Sequence, residues 1–326
     1  MKDYFNYFVR MQRGGSGNLW TDTGLSVSDS DSDKDNNHHH HEKERMNCPC
    51  CFSSFFWISI VGLIILIQIL NVILKNVFKA LNLEFIHKWI ARSFLLITSV
   101  LVVLIAVLAS SNDLQAALFA KIADVLLLKE QAADGPRCDL IRNVHGRVLE
   151  IGPGPGTNFR CWGNNSQITE WVGVEPNTNF KERLESEKIK KNITFPTRTV
   201  WMKGEDYDVD AGSFDFVVAT HILCSIDNIP GVIHQIKRAL KPNGVYYFME
   251  HVQANPSTSE YILQQISQPL ITLVGNGCKF KEIWKDISEK TLLKGYQIEM
   301  EHKDLPMSMS FFSPHIIGHA TKPASS

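Results

Sequence analysis

Apolar positions are distributed unevenly along the chain. Phe52 to Leu74 contains no charged residue, and at helical rise its 23 residues span roughly 34 Å, enough to cross a bilayer with some tilt. A second uncharged run, Ser93 to Asn112, is weaker and fits a span, half of a hairpin or an interfacial segment. Between them, Phe78, Leu81, Phe85 and Trp89 recur at helical spacing among Lys75, Lys79, Lys88 and Arg92, which predicts an amphipathic interfacial helix. Two full spans would put this basic linker in the lumen, against the positive-inside rule, whereas a monotopic hairpin keeps it cytosolic. Leu114, Leu118, Ile122 and Val125 mark a further amphipathic helix, ended by Asp134-Gly135-Pro136.

From there the period changes. Val148–Ile151, Glu170–Glu175 and Phe214–Thr220 read as strands, as does the return Val245–Met249. Ile193–Trp201 is broken by Pro196 but ends extended. Helical patterns fall between them at Phe180–Glu187 and at Ile229, Ile233, Ile236 and Leu240, the latter with Pro230 in its first turn and a stop at Lys241-Pro242-Asn243-Gly244. Alternation of strand and helix predicts an α/β fold, a doubly wound parallel sheet with its ligand beyond the strand C-termini. The expected organisation is a low-complexity tail over 1–47, a membrane-anchor region over 48–112, an amphipathic linker over 113–137 and an α/β domain over 138–326.

The candidate chemistry centres on RVLEIGPGPGTNF, Arg147 to Phe159. Gly152, Gly154 and Gly156 follow a buried strand, where the lack of Cβ lets a ligand approach backbone N–H groups. Thr157 and Asn158 are candidate helix caps behind them. The G-x-G-x-G spacing behind Glu150 differs from the G-x-G-x-x-G of dinucleotide folds and resembles the first motif of class I S-adenosylmethionine methyltransferases. Glu175, at the end of the second strand, suits a carboxylate accepting both ribose hydroxyls. Thr220 and His221 leave one strand and Glu250-His251 another, so both segments face the cleft, and His221 and His251 are candidate bases. Cys224 is expected to pack rather than react.

Composition narrows this picture. A formal charge of −1 and no long basic run argue against nucleic acid as a partner. No obligate protein partner is evident. The cysteines outside Cys48, Cys50 and Cys51 lack disulfide-scaffold or zinc spacing, so no metal site is expected and a reducing compartment is. The three clustered cysteines are candidate acylation sites. Ser-Asp alternation and a tract of His38 to His41 mark the tail as too polar to fold.

In order, EIGPGPGTNF, GVEPN, GSFDFVVATHILCSI, LKPNGVYYFMEHV, QQISQPL, GNGC, EIWKDI and PHIIGHATK resemble the membrane-anchored thiol S-methyltransferases, the methyltransferase-like seven family. The resemblance covers roughly Val144 to Lys322. It implies a Rossmann-like, mostly parallel seven-stranded sheet, S-adenosylmethionine as methyl donor and small hydrophobic thiols as acceptors. It also implies a place at the endoplasmic reticulum or lipid-droplet membrane, with the domain facing the cytosol. By the same resemblance, Glu150 contacts the methionine amine through water, and Glu205 or Asp206 contacts the adenine amine. Trp284, Leu292, Met307, Met309, Phe311 and Phe312 are candidates for an apolar acceptor pocket. The competing readings are an O- or N-methyltransferase of a lipid or quinone-like acceptor, and a non-catalytic membrane scaffold.

Overall fold

In a computed structural model the described residues are 49–324, except 82–83, 130–133, 164, 166 and 289. The sequence has two glycosylation acceptor motifs, Asn164-Asn165-Ser166 and Asn192-Ile193-Thr194; the low-complexity tail, Cys48 and Asn164 lie outside the described residues. Residues from Phe55 onward form one compact unit. α1 (Pro49–Ala80) contains the first apolar run, and α2 (Glu84–Ala109) contains most of the second. The expected single interfacial helix over the basic linker is absent, because the chain breaks after Leu81 and divides those residues between α1 and α2. His87 Nε2 and Asn71 Oδ1 lie 3.0 Å apart across this break. Phe85–Ala109 is long and apolar enough to cross a membrane, with a mean hydropathy of 2.5 and no buried residue.

α3 (Asn112–Lys129) and α4 (Asp134–Ile141) lead into the sheet. β1 (Gly146–Ile151), β2 (Ile168–Val174), β3 (Thr197–Val200), β4 (Phe214–Thr220) and β5 (Leu240–His251) are parallel; β7 (Pro314–Thr321) runs antiparallel between β5 and β6 (Gln297–Asp304). The order β3-β2-β1-β4-β5-β7-β6 reverses direction beside β1, so the C-terminal ends of β1 and β4 border the crevice where such sheets bind ligands. Short α5 (Phe159–Trp162), α6 (Lys181–Lys190) and α7 (Ile229–Ala239) cross between strands. α7 begins as the sequence pattern requires, with Asn228 accepting from the Gly231 N–H at 3.0 Å. It buries Ile229, Val232, Ile233 and Ile236 against the core of β1, β4 and β5.

The amphipathic helix expected to lie on the membrane or the domain is α3, which buries Ala120 and Ala123 against Phe180, and Ala116 C=O accepts from Asn177 Nδ2 at 2.9 Å. One expectation changes here: Cys138 and Cys161 are disulfide-bonded, because α4 packs beside α5 and brings their Cα atoms to 4.8 Å. A separation of 23 residues hides that pairing from spacing alone.

Candidate functional site

Beyond β1 the backbone takes positive φ at Gly152 (68°), Gly154 (54°) and Gly156 (87°). A Cβ at Gly152 would meet Ile222 at 2.5 Å, whereas one at Gly154 would meet nothing within 4 Å, so the middle of the loop is an open cradle. Glu175 is buried at the end of β2, its Oε2 accepting from Gly154 N at 2.9 Å and its Oε1 from Asn177 N at 2.8 Å. Glu150 lies beneath the loop, accepting from Asn158 Nδ2 at 2.9 Å and Trp171 Nε1 at 2.8 Å. Asn158 does not cap α5 with its side chain; it also donates to Thr220 Oγ1 at 3.1 Å, tying β1 to β4. Burial raises both Glu150 and Glu175 to about 7, against the pull of their hydrogen-bond donors.

A cavity of about 230 Å³ joins this cradle to a second, more apolar half. Glu150, the glycine loop, Glu175 and Thr220 line one end; His221, His251, Cys224, Cys278, Met307, Met309 and Phe312 line the other. Glu205 and Asp206, in the 3-10 turn after β3, do not line it, because their turn points its backbone toward α7, where Glu205 C=O faces Gln235 Nε2 at 3.4 Å. Trp284 and Leu292 pack on the core instead, and Phe311 packs at a tilt against Phe312 with centroids 4.9 Å apart.

His221 has a φ of 55°, a left-handed conformation in the loop leaving β4. That loop is held by Glu250, whose Oε1 accepts from Ile222 N at 3.1 Å and Leu223 N at 3.0 Å. Burial raises Glu250 well above the usual carboxylate range. Arg137, buried in α4, pairs with Asp134 at 2.9 Å and approaches His221 Nδ1 at 3.4 Å. A guanidinium only donates, so His221 Nδ1 accepts and its Nε2 carries the proton. That Nε2 lies 3.1 Å from His315 Nε2, and His315 Nδ1 in turn donates to Ser313 C=O at 2.8 Å. His221 is thereby a link in a polar chain and not an isolated base.

His251 stacks on His221 with ring centroids 4.2 Å apart. Burial first, then the neighbouring rings and Arg137, hold His221 and His251 well below their ordinary value, and His315 falls to about 4 for the same leading reason. All three imidazoles are neutral at pH 7. Arg137, Cys278 and His315 escaped sequence reasoning. GNGC and PHIIGHATK flagged the last two as motifs, but nothing in the sequence aimed them at the cleft.

The described methyltransferase-domain family matches residues 113–285. Thiol S-methyltransferase TMT1A of Homo sapiens is 35% identical over 178 residues, covering 54% of this chain and 70% of that protein. Thiol S-methyltransferase TMT1B of Homo sapiens is 32% identical over 177 residues, with 54% and 70% covered. A solved S-adenosylmethionine-dependent methyltransferase from Thermotoga maritima, described as a possible histamine N-methyltransferase, superposes at a TM-score of 0.47 and 16% identity, over 63% of this chain and 98% of that one.

Proposed function

We propose that this chain, which belongs to the thiol S-methyltransferase family, moves a methyl group from S-adenosylmethionine to the sulfur of small hydrophobic thiols at a membrane surface. The observation that carries the reading is one cavity shared by a glycine-and-carboxylate cradle and an apolar wall of Met307, Met309 and Phe312. The open space at Gly154 and the buried carboxylate of Glu175 fit a nucleoside with ribose hydroxyls. Glu150 sits where a cationic amine would offset its burial. When bound, the donor supplies a methyl group on a sulfonium.

The residues around the acceptor end mainly position, desolvate and bias charge. A free thiol with a pKa near about 8.5 is mostly protonated at neutral pH. Arg137, 2% exposed, lines the cavity; Asp134 offsets part of its charge at 2.9 Å, and what remains favours the thiolate over the thiol. Incubation with labelled donor and a panel of thiols, phenols and amines tests the reading. Label is expected in thioethers; label carried on oxygen or nitrogen overturns it.

Membrane lipid is the second partner. α2 supports anchoring, and α8 (Ser259–Val274) adds Ile262, Ile266 and Leu270, exposed by 59%, 73% and 60%. The same helix lends Ile271 and Val274 to the cavity, so apolar acceptors have a short path from lipid. Full-length protein is expected to stay in the pellet after carbonate extraction; release into the supernatant rejects an integral anchor.

The finer location is the endoplasmic reticulum or lipid-droplet membrane with the domain facing the cytosol, where a charged donor is expected. The Cys138–Cys161 disulfide weighs the other way. Glycosidase digestion decides: no mobility shift is expected, and a shift lost in Asn164→Gln or Asn192→Gln places the domain in the lumen.

A further inference from the structure

Among the described residues, metal-binding atoms lie within 4.8 Å of one another in two overlapping clusters: His221, His251 and His315, and Cys224, His251 and Cys278. The first is a poor cage. The His221 and His251 rings are stacked with only 11° between their planes, so their in-plane lone pairs run side by side instead of converging. His221 is also committed to Arg137 on one nitrogen and to His315 on the other.

The second cluster shares the stacked His251 but replaces the other two imidazoles with thiols. Thiolate sulfur accepts a metal from a wide range of directions, so only His251 must point correctly. Cys224 and Cys278 Sγ atoms lie 3.2 Å apart without forming a disulfide. Their backbones are stitched together: Lys279 N donates to Cys224 C=O at 2.9 Å, while Gln268 Nε2 and Thr272 Oγ1 hold Cys278 C=O at 3.0 and 3.2 Å. Glu250 fixes the loop that carries Cys224. All three residues line the acceptor end of the cavity.

We propose that Cys224, Cys278 and His251 bind a zinc-type divalent cation whose remaining coordination position takes the sulfur of the acceptor thiol. The inference rests on the thiol-transfer reading and deepens it. Two soft sulfurs and one imidazole suit zinc over magnesium or calcium, and three protein ligands with an open fourth position are the pattern of a catalytic zinc site. Charge also balances. Cys224 and Cys278 release their protons to solvent as the metal binds, the two thiolates neutralise the ion, and the acceptor thiolate adds one negative charge facing Arg137 and the donor's sulfonium.

A coordinated thiol is deprotonated outright, its proton passing to solvent. The acceptor sulfur keeps that electron pair and uses it to form the new S–CH3 bond. The old C–S bond breaks with its electrons left on the departing sulfur, which becomes neutral S-adenosylhomocysteine. The product thioether is neutral and a weaker ligand than the thiolate, which favours release.

Full-length protein in detergent, kept reduced and stripped of metal, can be titrated with cobalt(II) and then zinc. One cobalt per chain is expected, with thiolate-to-metal charge-transfer absorption, a change in the visible bands when an alkyl thiol is added, and displacement by zinc. Cys278→Ala and His251→Ala should weaken cobalt binding at least about tenfold, the lower end of what even outer-shell partners contribute. S-Adenosylhomocysteine affinity, measured on the same samples, reports whether each variant is folded. Wild-type protein that binds S-adenosylhomocysteine but takes up no cobalt or zinc overturns the site. Metal-free protein that methylates thiols at the full rate also overturns it, while leaving thiol methylation standing.

Discussion

The two ends of the cavity are built differently. At the donor end, hydrogen bonds link residues close in sequence: Asn158 to Glu150 across 8 positions and Gly154 to Glu175 across 21. At the acceptor end, the partners Cys224 and Cys278 are 54 apart, Arg137 and His221 84, and His221 and His315 94. One strand-loop-strand unit makes most of the donor end, to which β4 adds Thr220, bonded to Asn158 across 62 positions. The acceptor end exists only once β4, β5 and β7 are neighbours and α4 has docked. The donor end is therefore mostly a local device, and the acceptor end a product of sheet order.

That contrast can be broken by substitutions expected to act on one end alone. Arg137→Leu should have the largest effect, lowering kcat/KM for thiols about 10²–10³-fold at neutral pH, the scale of losing one preorganised charge-stabilising donor. Donor affinity should change far less, through the loss of Arg137's charge near Glu150 alone. A wild-type kcat/KM in the variant would remove Arg137 from thiolate stabilisation.

Glu175→Ala should weaken S-adenosylhomocysteine binding by about 1.5–3 kcal/mol, roughly 10–150-fold, while leaving acceptor KM in place. Isothermal titration that returns the wild-type affinity would mean this carboxylate does not hold the ribose.

Acidity separates the ends more gently. Glu150 and Glu175 rise from 4.5 to about 7 in the folded chain. Between those values the native state keeps protons that the unfolded chain has released. These two groups therefore stabilise the ligand-free fold fully below about 4.5, and that contribution is lost as pH rises toward 7. Donor binding uses the carboxylate, so affinity should move oppositely, falling by up to about tenfold per pH unit below 7 for each group. Melting and titration series between pH 5 and 8 that trend together would contradict the assignment.

The smallest effect is expected at Gly154→Ala. With φ at 54° and open space around it, a methyl group costs about 1–2 kcal/mol of left-handed strain. Gly152→Ala adds a 2.5 Å encounter with Ile222 and should lower Tm further. Equal melting temperatures for the two would show that Ile222 moves aside freely.

The sequence by itself determined the donor end and the class of the fold. Strand periodicity around Val148–Ile151 and Phe214–Thr220 and the glycine spacing are local signals, and each lies in the element it foretold, while Glu175 sits one residue past β2. Local signals went astray where packing overrides them. Asn158 turned from capping to bridging Glu150 and Thr220. Only the tertiary structure decided that Cys138 meets Cys161, that His221 is spoken for by Arg137 and His315, and that Cys224, Cys278 and His251 form one cluster. The physical reason is range: periodicity and turn chemistry act over a few residues, whereas contacts between strand ends depend on which strands become neighbours, and no spacing along the chain encodes that order.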